Sequence, residues 1–360
     1  MLKFTRREFT RLGLAAPLAA VASSLPLAQL LAQGLGSELR VATWGGSWRD
    51  SIDTNVCKGL KDQGLKIEYT LGNPEDNLAK LIAATRQGAI PFDVMEGFPY
   101  ITGPMSEGGL INELDYDKMP NAKAAPDWVR GKYEVVSVVT QDGVVYNTEK
   151  FKEAGIAPPT TYKDLANPKL KGKVAFPDIG NAQHWNAIVG MAYESGGGES
   201  NLSGAVSMVN EISPAYFFSA STDLATRFGS GDIWAAAWHA GWAARLRRSN
   251  VPVSVGYTPF GEKRGALWPV PCYIVAKTTN LAGAEAFVNQ LMSPEVQFTH
   301  GKATGSVPVD GKARTELAAD PLSAELLMLS DRQMQNCYQI DWSKLDIKAW
   351  QSTWARDIKR

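Results

Sequence analysis

Strands and helices alternate along the chain once the first 37 residues are passed. Apolar β-type runs occupy Leu39–Thr43, Leu65–Tyr69 and Phe92–Met95, and a helix-like segment separates each run from the next. Ser47 is predicted to cap the first of these segments, a helix running to Gly64. Asn73 and Pro74 open the second segment as a cap and a first-turn proline. This β-α-β-α-β order predicts an α/β fold with a mostly parallel sheet flanked by helices. Ligands are then expected outside the carboxyl ends of the strands.

Residues 1–36 are predicted to be a signal peptide with a short leader. Thr5–Arg11 holds a twin arginine, and the 26 residues of Leu12–Ser37 carry no charge. This pattern resembles the twin-arginine (Tat) signal, which directs folded proteins across the bacterial inner membrane. A membrane anchor is the alternative, since about 20 apolar residues span a bilayer.

Two prolines, Pro17 and Pro26, make the uncharged stretch a poor spanning helix and favour the signal. Cleavage after Ala22 and cleavage after Ala32 are both compatible with the sequence. We therefore expect a periplasmic protein that meets the Tat translocase during export.

Length and charge restrict the class of protein further. Removing the signal leaves roughly 325 residues, which is more than one typical core accommodates, so two lobes are expected. Lys and Arg total 37, as do Asp and Glu, and this balance argues against nucleic acid or an anionic membrane as a partner. We expect a monomer. The three cysteines, Cys57, Cys272 and Cys337, allow at most one disulfide, and its pairing is left open.

Two short β-type runs in the middle of the chain mark a crossing between lobes. Val135–Thr140 and Val144–Tyr146 are apolar, and Asp142-Gly143 is predicted to interrupt them. Near the end of the chain, Trp342–Ile358 has the spacing of a helix with one apolar face, which is expected to dock the tail onto a lobe.

The segment Asp232–Arg248 fits two interpretations. Trp234, Trp238 and Trp242 follow each other at a spacing of four, which suits one face of a helix. A buried strand that ends at His239, followed by a helix, fits the same residues. Alanine content favours the first interpretation and glycine placement the second.

Catalytic motifs are not visible in the sequence. The three histidines, His184, His239 and His300, have no partner at metal-ligand spacing, and no C-x-x-C, H-E-x-x-H or G-x-S-x-G pattern occurs. We therefore predict a protein that is not an enzyme and has no cofactor or metal. A Tat-exported, cofactor-dependent enzyme is the alternative.

Tryptophan is the residue type that points to a ligand. Six of the eleven tryptophans fall at predicted loops or strand ends: Trp44, Trp48, Trp185, Trp238, Trp242 and Trp268. Aromatic faces there can cage a ligand, and a cation over such a ring gains about 0.5 to 2 kcal/mol. Core packing is the alternative for each of them. Trp44 and Trp48 favour the cage, because their loop is rich in glycine.

Several segments match a known family in order and spacing, together with the opening strand and Trp44. They are Pro91–Met95, Gly109–Asp115, Gly143–Asn147, Ala154–Leu165, Asn167–Val174, Phe287–Val296 and Gly305–Val309. With them the chain resembles the extracytoplasmic solute-binding proteins of ABC importers, in the branch of the spermidine/putrescine-binding proteins, and the match covers nearly all of the mature sequence.

The resemblance implies two α/β lobes joined by crossing strands, with the ligand in the cleft between them. The N-terminal lobe would comprise residues 37–140 and 270–308, and the C-terminal lobe residues 141–269 and 309–360. The resemblance also implies that Asp232–Trp238 is a strand.

Carried over to this sequence, the resemblance places Trp44, Tyr100, Trp238 and Trp268 at aromatic positions of the cleft. The carboxylates that such binders use are missing. Pro269–Cys272 follows Trp268 where an acid is expected, and Asp178–Ala182 stands where an acidic pair is expected. A buried ammonium without its carboxylate costs several kcal/mol. A monoamine, a zwitterion or another small polar solute therefore fits better than a long polyamine.

Charged residues near the predicted strand ends complete the candidate site. Glu96 is the favoured anionic contact, and Asp178 and Asp223 are further candidate partners for a cation. Arg49 and Arg227 could each hold a carboxylate through two hydrogen bonds. A solvated surface role is the alternative for each of these charges. The full set of predicted ligand-binding residues is Trp44, Ser47, Trp48, Glu96, Tyr100, Asp178, Asp223, Arg227, Trp238 and Trp268.

The resulting prediction is a receptor that closes two lobes on a small polar solute and delivers it to an ABC permease in the inner membrane. A ligand-binding partner of a membrane sensor would have the same fold. The sequence does not separate these two roles.

Overall fold

A computed structural model of the chain describes residues 34–360. The predicted Tat motif and its candidate cleavage positions, Ala22 and Ala32, lie outside these residues. The described strands are β1 (Glu38–Thr43), β2 (Lys66–Leu71), β3 (Val94–Glu96), β4 (Val135–Asn147), β5 (Val174–Pro177), β6 (Tyr216–Phe218), β7 (Ala235–His239), β8 (Val253–Gly256), β9 (Pro259–Phe260), β10 (Lys263–Arg264), β11 (Ala266–Ile274) and β12 (Val307–Pro308).

Helices flank these strands along the whole described chain. They are α1 (Ser47–Ser51), α2 (Lys58–Lys61), α3 (Pro74–Arg86), α4 (Thr102–Glu107), α5 (Pro120–Ala124), α6 (Thr148–Ala154), α7 (Gln183–Glu194), α8 (Ser203–Ile212), α9 (Ser221–Ser230), α10 (Ala240–Arg248), α11 (Leu281–Leu291), α12 (Pro294–Thr304), α13 (Gly311–Leu317), α14 (Pro321–Leu326), α15 (Asp331–Asn336) and α16 (Ile347–Asp357).

The main sheet has two parallel ends joined by antiparallel strands. Its order is β2-β1-β3-β11-β4-β7-β5-β6, with β8 and β12 also paired to β4. β1 runs parallel to β2 and β3, and β5 runs parallel to β6 and β7. β11 and β4 run antiparallel to each other between these ends. The predicted α/β class, with parallel sheets joined by crossing strands, is therefore confirmed.

The crossing strand β4 is continuous, so the predicted interruption at Asp142-Gly143 was wrong. Asp142 pairs with Ala266 on one side and with His239 on the other, which keeps the backbone extended. Gly143 has a different reason to be small: a Cβ there would lie 2.6 Å from the carbonyl oxygen of Gly256. The glycine allows a close approach between strands and does not mark a turn.

The ambiguous segment resolves into a strand followed by a helix, as the resemblance implied. Every residue of β7 is buried, and the strand is hydrogen-bonded to β4 on one side and β5 on the other. Two-sided pairing and burial outweigh the helix propensity of Ala235, Ala236 and Ala237. The chain then enters α10 directly.

The first helical segment is shorter and less regular than predicted. A π-helix, Ile52–Val56, separates α1 from α2. Ser47 was predicted to cap this segment, but Gly46 occupies the cap position and no side chain bonds to the free N–H groups. Gly46 has φ 63°, in the left-handed region that glycine adopts without strain. The prediction of a Ser47 cap was therefore wrong.

The C-terminal helix α16 docks through its apolar face, as predicted. Trp350 and Trp354 are buried, and both use their indole N–H groups in hydrogen bonds. The Trp350 indole nitrogen donates to Nε2 of His184 at 2.7 Å, and that of Trp354 donates to Asp178 at 2.9 Å. Arg360 closes the same corner with two hydrogen bonds to Asp178. The tail thereby braces the loop after β5 from behind.

The cysteines Cys57, Cys272 and Cys337 are all free and buried in the described chain. The sequence had left open whether two of them pair.

Candidate functional site

A cavity of about 450 Å³ lies where the parallel strands end. The loops after β1, β2 and β3 form one side of it, and the loops after β5, β6 and β7 form the other. The crossing strands β4 and β11 close it at the back. Its lining residues are Trp44, Gly45, Gly46, Trp48, Gly72, Asn73, Asp76, Phe98, Thr140, Asn181, Ala182, Gln183, Ser219, Ala220, Ser221, Thr222, His239, Trp242, Arg245, Trp268 and Val270. This position and size are typical of a small-molecule site.

One wall of the cavity is aromatic. The rings of Trp44 and Trp48 meet edge to face with centroids 5.3 Å apart, and Phe98 lies 5.9 Å from Trp44. Trp268 of β11 stands edge-on to Phe98 at 5.3 Å. Of the six tryptophans considered for a cage, Trp44, Trp48 and Trp268 therefore lie on this wall of the cavity, and Phe98 joins them.

The opposite wall carries Trp242, and Trp238 lies behind it. The two indoles stack with centroids 5.2 Å apart and planes 15° apart. Trp238 is 1% exposed and is not part of the cavity lining, whereas the half-buried Trp242 is. β7 ends at His239, so its last side chains alternate between the cavity and the core.

Arg245, one turn beyond Trp242 on α10, is the one basic side chain apart from His239 among the lining residues. Its guanidinium carbon lies 4.5 Å from the centroid of the Trp242 ring, and its Nε donates to the carbonyl oxygen of Thr304 at 2.8 Å. Burial, reinforced by the charge of Arg248, lowers the pKa of Arg245 to about 9. The guanidinium is therefore still charged at neutral pH.

No carboxylate within residues 34–360 forms an ion pair with Arg245, in contrast to the next two arginines of the same helix. Arg247 pairs with Glu325 at 2.8 Å and Arg248 with Asp320 at 3.7 Å. Arg245 thus brings an uncompensated positive charge to the cavity.

The uncharged polar groups of the cavity leave hydrogen-bonding capacity unused. Thr140 Oγ1, His239 Nδ1 and Trp268 Nε1 are buried and have no hydrogen-bond partner in the described chain. Burial, and then the charge of Arg245, lower the pKa of His239 well below 6.5, so its ring is neutral at pH 7. Buried polar groups are normally paired, and unpaired ones around a cavity suggest partners on a ligand.

Acidic groups are scarce in the cavity. Asp76, an exposed residue in the first turn of α3, is the one carboxylate among the lining residues. Val270 faces the cavity on β11, two residues beyond Trp268, in the region where the resemblance led us to expect an acid. Asn181 occupies the corresponding place on the opposite side, after β5.

The predicted acid Glu96 lies beneath the cavity wall and not in the lining. Its carboxylate is 1% exposed and accepts the indole N–H of Trp48 at 2.9 Å. Burial raises the pKa of Glu96 to about 7, although hydrogen bonds from Thr43 and Trp48 act in the opposite direction.

The remaining predicted site residues fall outside the lining. Tyr100 is hydrogen-bonded to Glu75 and packs against Trp342 with centroids 5.0 Å apart. Ser47 is exposed at the start of α1. Asp178 is occupied by the C-terminal tail.

Asp223 and Arg227 lie together on the outer side of α9. Both are exposed or partly exposed, at 50% and 41% of the side chain. Arg227 stacks on Tyr216 with its guanidinium carbon 4.1 Å from the ring centroid, and Tyr216 donates a hydrogen bond to Asp223. These contacts stabilise one another and involve no lining residue.

Arg245 is one of the cavity residues that the sequence did not single out, together with Asp76, Phe98 and Thr140. Its neighbour Trp242 was predicted to lie near a strand end. Because Asp232–Arg248 fitted both a helix and a strand, the sequence did not show that Trp242 and Arg245 lie on the same helix. With α10 starting at Ala240, Trp242 and Arg245 are three residues apart and share a helix face.

A sheet with two parallel ends, crossing strands and a cavity between the ends defines a two-lobed binding protein. The family of bacterial extracellular solute-binding proteins matches residues 59–325, and the chain belongs to this family. The predicted resemblance is thereby confirmed.

The relatives and solved structures agree with this assignment. Spermidine/putrescine-binding periplasmic protein 1 of Haemophilus influenzae is 23% identical over 317 residues, covering 80% of this chain and 82% of that protein. The putrescine-binding periplasmic protein SpuD of Pseudomonas aeruginosa is 24% identical over 300 residues, covering 75% and 81%. The crystal structure of an ABC transporter substrate-binding protein from Bradyrhizobium japonicum has a TM-score of 0.73 at 18% identity, covering 90% of this chain and 100% of its own.

The family match confirms the predicted function class in its coarser form, an extracellular solute-binding protein. The two relatives are named as periplasmic proteins, in agreement with the predicted location. Within residues 34–360, no helix combines the length and the apolar character needed to cross a membrane.

Proposed function

We propose that this chain is a periplasmic receptor whose cleft captures a small solute with a carboxylate, delivers it to an ABC permease and does not transform it. The observation that carries the choice of solute is Arg245, a charged guanidinium that lines the cavity and has no acidic partner in the described chain. A charge withdrawn from water without a counter-charge costs several kcal/mol, and a carboxylate on the solute would compensate it. Arginine also binds carboxylates through two parallel hydrogen bonds.

The neighbours of Arg245 complete a site for such a group. Thr140 and His239 carry buried polar atoms without partners, and both line the same cavity. The remainder of the solute would lie against Trp44 and Trp268, whose flat faces suit methylene chains and attract cations by about 0.5 to 2 kcal/mol. Asp76 can accept an amino group at the outer edge of the cavity. A zwitterion therefore satisfies both ends of the site.

Two relatives are named for binding polyamines, but a polyamine fits the cavity of this chain less well. Several ammonium groups would meet one exposed carboxylate, Asp76, together with the positive charge of Arg245. Val270 and Asn181 supply no charge, and Glu96 is already engaged by Trp48. Like charges brought together in a cleft of low polarity repel by several kcal/mol.

The lobes are proposed to rotate about the crossing strands β4 and β11. Residues 37–140 with 270–308 would move against residues 141–269 with 309–360. Trp44, Trp48 and Asp76 belong to the first group and Trp242 and Arg245 to the second, so a bound solute would contact both lobes only when the cleft closes. Such contacts shift the equilibrium toward the closed state.

The proposal is tested by comparing matched pairs of solutes. Putrescine and 4-aminobutyrate each contain four carbon atoms, and 4-aminobutyrate has a carboxylate in place of one terminal aminomethyl group. Isothermal titration calorimetry on protein that has been unfolded, dialysed and refolded should show tighter binding of the acid in such a pair. Arg245→Gln should weaken that binding by about 2 to 4 kcal/mol, because it removes one partner of a buried charge pair.

Arg248→Gln is the matched control, since Arg248 lies on the same helix and pairs with Asp320 outside the cavity. It should bind like the parent. Tighter binding of the diamines across the matched pairs, or unchanged acid binding in Arg245→Gln, would show that the solute class is wrong.

A further inference from the structure

Trp48 is a cavity residue whose polar end points away from the cavity. Its ring lines the cleft, but its side chain is only 6% exposed and its indole nitrogen donates to Glu96 Oε2 at 2.9 Å. Thr43 Oγ1 donates to the same oxygen at 2.5 Å. The orientation of this part of the aromatic wall is therefore set by a buried carboxyl group below it.

The carboxyl group of Glu96 has no hydrogen-bond partner in the described chain besides Thr43 and Trp48. It is the last residue of β3, lies beside Cys272 of β11 and forms no ion pair within residues 34–360. Its second oxygen, Oε1, is buried without a partner. Burying a carboxyl group in this way lowers the stability of the fold. An apolar residue at this position would make the folded protein more stable.

A second buried polar group holds the indole from another direction. The ring of His300 on α12 meets Trp48 edge to face, with centroids 4.7 Å apart and planes 86° apart. His300 Nδ1 lies 2.9 Å from the hydroxyl oxygen of Ser51, which is on the same short helix as Trp48. Together with the neighbouring ring of Trp44, these contacts leave the Trp48 indole one packed orientation.

We propose that Glu96 is a positioning residue, which holds the Trp48 indole in the cavity wall and so raises solute affinity without touching the solute. This inference rests on the proposed function in one respect, namely that the cavity is the solute site. A side chain already fixed in its bound orientation loses less freedom on binding, which is worth about threefold to tenfold in affinity for a large side chain.

The positioning contact can be measured without any solute. In protein labelled with ¹⁵N-tryptophan, Trp48→Phe identifies the indole resonance of Trp48 because that one signal disappears. Glu96→Leu should shift this resonance to the position of an indole without an acceptor. Glu96→Gln keeps an acceptor oxygen in a side chain of nearly the same shape, so the Trp48 resonance should stay close to that of the parent. This variant keeps the proposal testable if Glu96→Leu does not fold.

The pH dependence of the same signal gives a second readout. The titratable groups packed around Glu96 and Trp48 are Cys57, Cys272 and His300. Burial raises the pKa of Cys57 to about 12 and that of Cys272 well above 9, and it lowers the pKa of His300 to about 3. None of them titrates near neutrality, so a single step near pH 7 in the Trp48 resonance reports Glu96 and should be absent in Glu96→Gln.

Asp178 and Trp354 supply a matched control, because they form an indole–carboxylate hydrogen bond of the same length, 2.9 Å, away from the cavity. Asp178→Leu, which removes the acceptor as Glu96→Leu does, should move the Trp354 resonance and leave that of Trp48 in place. An unchanged Trp48 resonance in Glu96→Leu, or a pH step that survives in Glu96→Gln, overturns the positioning role.

Binding then tests the consequence for the solute, with 4-aminobutyrate and putrescine as probes. For whichever probe binds, Glu96→Leu should weaken affinity about threefold to tenfold and Glu96→Gln should restore it. In a Trp48→Phe background, Glu96→Leu should have no further effect. Equal affinity of Glu96→Leu and the parent overturns the inference. Preference for putrescine would refute the proposed solute class and leave the resonance tests of Glu96 as they stand.

Discussion

Replacing Trp238 by alanine separates the core of this protein from its cavity. Trp238 is 1% exposed and is stacked between Trp242 at 5.2 Å and Phe228 at 5.6 Å. Its indole nitrogen also donates to Ser221 Oγ at 3.0 Å. The residue is therefore expected to stabilise the fold and to affect binding only indirectly, through the lining residues Trp242 and Ser221.

The magnitude follows from the buried surface. A tryptophan buries on the order of 200 Å² of side chain, and about 25 cal/mol per Å² gives about 5 kcal/mol as an upper figure. Measured Trp→Ala changes in cores cost about 3 to 5 kcal/mol, which includes the cavity left behind. We expect Trp238→Ala to lower the free energy of unfolding by about 4 kcal/mol, a large part of the stability of an ordinary protein.

The assay is urea unfolding followed by far-ultraviolet circular dichroism, on Trp238→Ala beside two reference variants. Trp242→Ala should lose less stability and more solute affinity, because Trp242 is half-buried and lines the cavity. Trp128→Ala should change stability by less than about 0.5 kcal/mol, because the Trp128 side chain is 51% exposed. A loss of less than about 1 kcal/mol in Trp238→Ala, with solute binding abolished, would refute the assignment of Trp238 to the core.

Two further predictions concern pH and shape. Burial raises the pKa of Glu96 from an ordinary 4.5 to about 7, so the folded protein binds this proton more tightly than the unfolded chain does. The protonated carboxyl group therefore contributes its full stability below pH 4.5. That stability is lost as the pH rises to about 7. Unfolding of Glu96→Gln and the parent at several pH values should show the variant gaining about 3 kcal/mol relative to the parent across that window, and a constant difference would contradict the buried carboxyl. Small-angle scattering with a saturating solute should show a smaller radius of gyration than without it, since hinge closure brings Trp44 and Arg245 together; an unchanged radius would argue against closure.

Local patterns predicted the elements that depend on periodicity. The alternation of strands and helices from Leu39 to Met95 indicated the parallel sheet, and the spacing of Trp350 and Trp354 indicated a docked terminal helix. Both signals are carried by residues close together in sequence, and both describe which face of an element is apolar. The glycine-rich loop with Trp44 and Trp48 belongs to this group, because it follows a strand directly.

Local patterns failed where long-range pairing decides the conformation. Asp142 and Gly143 have the composition of a turn, yet β7, β8 and β11 pair with β4 around them and hold the chain extended. Ala235–Ala237 has the composition of a helix, yet neighbours on both sides make it a central strand. In each case the hydrogen-bonding partners are distant in the sequence, and propensity is too weak to oppose them.

The sequence by itself therefore determined the α/β class of the chain, its family and the aromatic character of one cavity wall. Only the tertiary structure decided which charged groups meet that cavity. Three charged residues are plausible ligand contacts in the sequence but have other partners in the structure. Glu96 accepts a hydrogen bond from Trp48, Asp178 binds the C-terminal tail, and Arg227 stacks on Tyr216. Among residues 34–360, Arg245 has no acidic partner, because its helix neighbours Arg247 and Arg248 face the acids of α14 and its cap. Charge pairing depends on distances of a few ångströms between remote segments, and that information exists only in the folded chain.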